Sequence, residues 1–294
     1  MSALPSLSRR GFINAFGALS ACATLGLTAC GNTASNRTDS TSDQTSDASS
    51  FSGNFIVGFD QEFPPYGYID DSGQFAGFDL DLAQAVCEKE GWTFTPNPIA
   101  WDAKDALLGS GQITCIWNGF TMESREDDYA FTDAYMENRQ VMVVSTSSDI
   151  SSLADLAGKN VITQSDSAAL ELLSEGGDQA ELGATFAQLQ TIANYNTAFM
   201  MLENGTADAV AIDYPVAVYN IGDRTDEYKI LDEPLNTEHY GVGFAKTDEG
   251  QMLADTVEKD LQELDQEGKV KELCDKYADQ GVSYDLWVLP KANA

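Results

Sequence analysis

Few residues of this 294-residue chain combine a reactive type with a telling position, and most of those are carboxylates. Asp60 and Glu62 sit in an aromatic, proline-containing loop after a strand-like run, where either could serve as a general acid. Arg125 lies inside the acidic run Glu123-Ser124-Arg125-Glu126-Asp127-Asp128. Its planar fork fits a carboxylate with two parallel hydrogen bonds, as a lysine cannot. In such a run it is equally a solvated ion-pair residue. Ser165-Asp166-Ser167-Ala168 precedes an apolar helical run, so unpaired N–H groups and a positive dipole end are offered there to an anion. Asp213 follows an apolar strand and opens Tyr214-Pro215, where it reads as a helix N-cap, a polar contact or both.

Other chemistries are excluded. A single histidine, His239, rules out His-rich zinc sites and any design needing two imidazoles. Cys87, Cys115 and Cys274 are scattered without a metal-site spacing and read as small buried apolar residues. Their odd number leaves at least one thiol outside any disulfide within the chain. No G-x-S-x-G, G-x-x-x-x-G-K-[ST] or G-x-G-x-x-G occurs. No cofactor, no metal and no catalytic residue are therefore expected. The net charge of −31 excludes nucleic acid, which needs counterion-releasing cations, and disfavours an anionic membrane surface.

The elements that position these residues alternate between strand and helix. Asn54 to Phe59 is a strand, and the loop to Tyr68 follows. Gly77-Phe78-Asp79 enters a helix with Leu82, Ala85 and Val86 on its apolar face and Gly91 as C-cap. Thr93 to Ile99 is a strand, Ala103 to Leu108 a short helix and Ile113 to Trp117 a third strand, which makes a βαβαβ pattern and a parallel sheet. Gln140 to Ser145 is a strand with no long helix before it, after which the pattern restarts. Ser151 or Ser152 caps a short helix; Asn160 to Thr163, Ala184 to Leu189 and Ala209 to Ile212 are strands; Ala168 to Glu175 and Tyr195 to Asn204 are helices. Tyr240 to Ala245 is a last strand, followed by helices Gln251 to Gln266 and Val270 to Tyr277. The fold class expected is α/β with two lobes, each a mostly parallel sheet flanked by helices: 53–138 plus 241–294, and 139–240. Two chain crossings link them near 135–140 and 238–243. Ligands of open α/β sheets bind outside the carboxyl ends of strands, so loops 60–68, 118–125, 164–168 and 213–215 face one cleft.

Ahead of this lies Ser8-Arg9-Arg10-Gly11-Phe12-Ile13, a moderately apolar stretch to Leu27, and Leu27-Thr28-Ala29-Cys30. A basic start, an apolar middle and a small-residue end make an export signal, here 1–29. Arg9-Arg10 resembles a twin-arginine signal, and the Cys30 sequence resembles a bacterial lipobox, whose cysteine is lipidated and becomes the mature N-terminus. Residues 30–52 are rich in Ser, Thr, Asp and Gln with no apolar period, and read as a flexible tether. The protein is then expected outside the cytoplasm, as a lipoprotein on the outer face of the cytoplasmic membrane. Of the charged residues, 13 Lys+Arg and 44 Asp+Glu fall in 53–294, so the acidity belongs to the folded lobes and not to a tail.

From about 53 to 280 the chain resembles the family 3 extracellular solute-binding proteins, the amino-acid receptors of ABC importers. The matching stretches, in order, are Phe59-Asp60-Gln61-Glu62-Phe63-Pro64-Pro65-Tyr66, Gly77-Phe78-Asp79-Leu80-Asp81-Leu82-Ala83, Trp117-Asn118-Gly119-Phe120-Thr121 through Arg125, Phe131-Thr132-Asp133-Ala134-Tyr135, Leu153 to Lys159, Asp208-Ala209-Val210 and Tyr240 to Lys246. The resemblance implies a type II periplasmic-binding-protein fold. It also implies a ligand α-carboxylate held by Arg125, by an amide in Gly119 to Thr121, and by amides at Ser167 and Ala168. The ammonium would be held by Asp213 with the Gly119 carbonyl and the Thr121 hydroxyl. Phe63 and Trp101 would be the walls, and Asp60 and Gln164 would contact the ligand side chain. One departure stands out: Arg125 follows Gly119 by six residues, one fewer than in common relatives. Burying a zwitterion unpaired is very costly, which is why both poles need dedicated partners.

From the residues alone, Phe63 and Trp101 would be core, Asp60 would bond turn amides, and His239 reads as a hinge-surface residue. Tyr66 and Tyr68 line the cleft rim or pack the loop. The function expected is capture of a polar amino acid, cystine or glutamine-like, by a monomer that closes two lobes and delivers the ligand to a permease and ATPase complex. The rivals are an enzyme on the same fold, of cyclohexadienyl or arogenate dehydratase type, and a sensor module acting in trans. A sensor would usually continue into a membrane helix, and this chain shows none.

Overall fold

The computed structural model describes residue 51 and residues 53–289, so the expected export signal, Cys30 and nearly all of the tether lie outside the described residues. Two five-stranded sheets organise the chain. The first runs in the order Thr93–Pro98, Asn54–Phe59, Cys115–Ile116, Gly243–Ala245, Tyr129–Phe131. The second runs Gln188–Ile192, Asn160–Gln164, Ala209–Asp213, Gln140–Ser145, Tyr228–Ile230. In each, one strand opposes the other four: Gly243–Ala245 in the first and Gln140–Ser145 in the second. The centre of the second sheet is apolar on both faces, with all five residues of Ala209–Asp213 buried, as strands covered by helices on both sides require. The fold is thus the two-lobed α/β arrangement, with mostly parallel sheets.

Helices cover these sheets with their apolar faces. Phe78–Glu90 buries Leu82 and Val86 and stops where Gly91 turns left-handed at φ 72°. Asp248–Gln266 buries Leu253, Val257, Leu261 and Leu264, one stripe of a 3.6-residue period. Ser152 closes a reciprocal capping box with Asp155 at the head of the short Leu153–Leu156 helix. Cys87, Cys115 and Cys274 are buried, and no disulfide joins them.

Two expectations shift. The strand expected over 184–189 lies at Gln188–Ile192, because the chain first makes the short helix Ala180–Gly183 and turns, Thr185 N–H donating to the Leu182 carbonyl at 2.9 Å. The single strand expected over 240–245 is two. Glu238–Tyr240 belongs to a crossing and Gly243–Ala245 to the first sheet, since the chain must turn at 241–242 to pass between them. The crossing strand Glu238–Tyr240 pairs antiparallel with Met136–Asn138, with Glu238 opposite Asn138 and Tyr240 opposite Met136. This ribbon is the double connection between the lobes.

Side chains also meet directly across the lobes. Gln164 Nε2 donates to Asp60 Oδ2 at 2.6 Å, and Trp101 Nε1 donates to the Asp166 carbonyl at 3.1 Å. Lys104 pairs with the Asp166 carboxylate, and Arg125 Nη2 with Glu171 Oε1 at 2.7 Å. The Phe63 and Tyr195 rings lie 6.2 Å apart, and those of Tyr68 and Tyr219 5.7 Å. The lobes are closed on each other.

Candidate functional site

A small cavity lies between the lobes at the carboxyl ends of the strands. Phe63, Trp101, Asn118, Gly119, Thr121, Arg125, Gln164, Ser167, Ala168 and Asp213 line it. Nine of the ten residues expected from the sequence are among these. Asp60 is not. It lies in the adjoining part of the cleft, with Glu62, Trp101 and Asn194. There its Oδ1 accepts from the Glu62 N–H at 2.9 Å and its Oδ2 from Gln164, so it bonds both a turn amide and the facing lobe. Burial raises its pKa, against these hydrogen bonds.

The loop after Cys115–Ile116 carries the first-lobe part of the site. Gly119 has φ 56°, a conformation costly for other residues. A Cβ there would stand 3.1 Å from the Phe63 ring and 3.2 Å from that of Tyr240. Its N–H donates to Asp79 Oδ2 at 2.6 Å, and Tyr135 Oη donates to the same carboxylate. Asp79 is fully buried, which pushes its pKa up to about 7. Its place in the motif Gly77-Phe78-Asp79 is thereby explained: it anchors the Gly119 loop without lining the cavity.

The shortened spacing does not carry Arg125 away from the cavity. Ser124 takes φ 68°, and Arg125 N–H closes a turn onto the Met122 carbonyl at 2.9 Å. The guanidinium is buried and lies over the Phe120 ring at 5.1 Å. Nη1 donates to the Thr121 carbonyl at 3.3 Å, while Nε and Nη2 both donate to Glu171 Oε1. Arg125 therefore faces the cavity with one partner already drawn from the second lobe.

The second lobe contributes the turn before Ala168–Leu173, where Ser167 Oγ accepts from the Leu170 N–H at 3.2 Å. It also contributes Asp213, at the end of the buried strand Ala209–Asp213. Asp213 stands at the N-cap position, but its side chain makes no capping hydrogen bond. Instead, Oδ1 accepts from Asn138 Nδ2 at 2.8 Å, Gln140 Nε2 at 2.8 Å and Tyr240 Oη at 2.7 Å. The same two amides donate at 2.8 Å to Glu238 Oε1, which also accepts from Thr121 Oγ1 at 2.8 Å. Burial, and then the neighbouring Glu238 charge, raise the Asp213 pKa to about 7. His239 lies on the crossing beside this network, its Nδ1 2.8 Å from Glu123 Oε1, and it does not line the cavity.

Sequence reasoning missed Asn118 as a lining residue, although it stood in a quoted motif; its Oδ1 accepts from the Asp60 N–H at 2.8 Å. It missed Glu238, Asn138 and Gln140 altogether. They reach the site only because the two crossings pair, and no local pattern marks them. Tyr66 is buried against Tyr240, their rings 5.2 Å apart, while Tyr68 packs against Tyr219. Among the described residues no cluster of metal-ligating side chains is present, and no helix is long and apolar enough to cross a membrane.

Among the residues lining the cavity are one cation, Arg125, one carboxylate, Asp213, and the aromatic rings of Phe63 and Trp101. The probable histidine-binding protein of Neisseria gonorrhoeae is 29% identical over 248 residues, covering 81% of this chain and 87% of that one. An ABC uptake transporter substrate-binding protein from Streptococcus pneumoniae, solved with bound histidine, is 32% identical with a TM-score of 0.73, over 79% of this chain and 94% of that one. An ancestral amino-acid-binding protein described as a precursor of cyclohexadienyl dehydratase is 26% identical with a TM-score of 0.68, over 76% and 95%. Residues 55–280 match the profile of the bacterial extracellular solute-binding proteins, family 3, and the chain belongs to that family.

Proposed function

We propose that this protein captures a polar amino acid between its two lobes and delivers it to a membrane importer. The observation that carries the reading is the cavity itself, which sets Arg125 from one lobe and Asp213 from the other around one small volume. Those are the two poles a buried zwitterion needs. Arg125 receives the α-carboxylate, with the amides at Ser167 and Ala168. Asp213 receives the ammonium, with the Gly119 carbonyl and Thr121 hydroxyl. Phe63 and Trp101 close the walls. At the far end, Gln164 and the Asp60 carboxylate behind it favour a polar side chain, with glutamine and cystine among the candidates. A ligand that touches both lobes binds the closed form better and draws the population toward it, and the importer must reopen it. The lobes are 53–138 plus 241–294, and 139–240, meeting at the paired crossings.

The test is a thermal-shift screen of the amino acids and cystine, followed by calorimetry on Arg125→Ala. At a hundredfold excess over Kd, a ligand adds about 2.7 kcal/mol of stability. Arg125→Ala abolishes binding if the guanidinium holds the carboxylate; unchanged affinity sinks the assignment.

The protein is not an enzyme on this reading. The acid candidates Asp60 and Glu62 lie beside the cavity, and Asp60 is engaged with Gln164 and a turn amide. Turnover of prephenate or arogenate by the purified protein would overturn this. The protein acts as a monomer and is exported by a signal over 1–29, twin-arginine in type. Lipidation of Cys30 hangs it from the outer face of the cytoplasmic membrane by the 30–52 tether. Mass analysis of the mature N-terminus checks this: an unprocessed start or an unmodified Cys30 refutes it.

A further inference from the structure

Beneath the cavity, two carboxylates share their hydrogen-bond donors. Asn138 Nδ2 and Gln140 Nε2 each donate to both Asp213 Oδ1 and Glu238 Oε1, all four at 2.8 Å. Both acids are buried, at 5% and 1% exposure. Asn236 Nδ2 donates to Glu238 Oε2 at 3.0 Å, Thr121 Oγ1 to Oε1, and Tyr240 Oη to Asp213 Oδ1. These donors are neutral amides and hydroxyls. Among the described residues no Lys, Arg or His makes an ion pair with either carboxylate.

The groups facing the pair come from every element around it. Tyr66 of the first-lobe loop, Tyr195 of the helix Tyr195–Glu203 and Tyr240 of the crossing face Asp213. Lys104, Glu123, Arg125 and Glu171 line the neighbouring opening with Glu238. Arg125 spends its near donors on the Thr121 carbonyl and Glu171. Burial, and then a second carboxylate that shares its donors, with no cation paired to either, favour the neutral form of Asp213.

We propose that Asp213, beside the Glu238 carboxylate with which it shares its donors, holds a proton in the empty protein, and that the ligand's ammonium replaces it. Glu238 is then a positioning residue that acts through Asp213. The inference rests on the reading of Asp213 as the ammonium site. The exchange is balanced: one proton leaves to solvent, one ammonium enters, and the charge of the pair with its cation is unchanged. Binding is therefore linked to proton release, and its sign follows. With the Asp213 pKa raised to about 7, binding releases about half a proton at pH 7, about 0.9 at pH 6 and about 0.1 at pH 8. Affinity is lost as pH falls through 7, with Kd rising about fivefold from pH 7 to pH 6.

The experiment is calorimetry from pH 6 to 8, in buffers of different ionisation enthalpy, with L-glutamine, L-arginine and L-cystine as probes. Glu238→Gln keeps an oxygen where Oε1 accepts its three donors and removes the second charge. Burial, the larger cause, persists in the variant, so the expected result is proton release by the wild type and a smaller release at pH 7 by the variant, whose Kd changes less between pH 6 and pH 7 than the wild type's. A merely structural role for Glu238 would shift Kd equally at all pH values and leave the proton count alone, which overturns the proposal. So does binding by the wild type without proton release. Binding of none of the probes at any pH refutes the amino-acid reading beneath it. If Glu238→Gln fails to fold, the wild-type proton count decides alone.

Discussion

Asp166→Asn isolates lobe closure from ligand contact. Asp166 precedes the second-lobe helix Ala168–Leu173, and its carboxylate pairs with Lys104 of the first lobe. Neither residue lines the ligand cavity. Asp166 holds φ 60°, a left-handed conformation that asparagine tolerates nearly as well as aspartate. The substitution thus removes a charge without disturbing the turn or the Trp101 bond to the Asp166 carbonyl. Lys104 is 2% exposed and the Asp166 side chain 41%, so the pair is half-screened by solvent. Such a pair contributes about 1 kcal/mol. Without it the ammonium keeps Asp105 Oδ1, at 3.9 Å, and the Trp101 ring, at 5.4 Å, which takes the closed-state penalty to about 1–2 kcal/mol. In the open form Lys104 regains water, so the loss falls on closure alone. Kd should rise about 5- to 30-fold, mostly through faster release, with apo thermal stability nearly unchanged. Stopped-flow binding and calorimetry measure this, with Lys104→Met and the double variant as controls. The double variant should bind no more weakly than the worse single one. A change below twofold, or additive losses in the double variant, would refute the closure argument.

Two further outcomes test the framework of the site. Gly119→Ala places a methyl against the Phe63 and Tyr240 rings in a left-handed conformation that costs alanine about 1 kcal/mol; we expect a lower Tm and at least fivefold weaker binding, and wild-type values of both would show that the loop adapts. Asp260 is fully buried on the helix Asp248–Gln266, neither oxygen accepts a hydrogen bond from the described residues, and burial, then the Glu90 charge, push its pKa up to about 6 although Lys259 Nζ lies 3.8 Å from Oδ1. A carboxylate with a raised folded-state pKa destabilises the fold at neutral pH, and the penalty fades as pH falls through 6 toward 4. Asp260→Asn should stabilise by about 1–2 kcal/mol at pH 8, which is about 2–8 °C in Tm, and by almost nothing at pH 4. An equal difference at both pH values would refute the buried-charge account.

The sequence by itself determined the alternation of elements, because it follows from local physics. Apolar runs such as Ala209–Asp213 must be buried strands, and the stripe Leu253, Val257, Leu261, Leu264 must face a core. It also pointed to the loops that end at the cleft, since strand ends in a two-lobed α/β fold share one edge; nine of the ten residues that the family resemblance implied line one cavity. The weakly apolar segment 184–189 misplaced its strand because the turn after the short helix Ala180–Gly183 takes its first residues. What only the tertiary structure decided are the partners distant in the chain. Asp213 read as a helix cap, a polar contact or both, and its side chain is tied to Asn138, Gln140 and Tyr240 with no capping hydrogen bond. Arg125 looked like a solvated residue in an acidic run and is buried against Phe120 with Glu171 across the cleft. Glu238 carried no signal at all, because its meaning arises when two strands about a hundred residues apart pair and bring it beside Asp213. Burial, and so the charge state of each acid, is set by that pairing, and no local pattern encodes it.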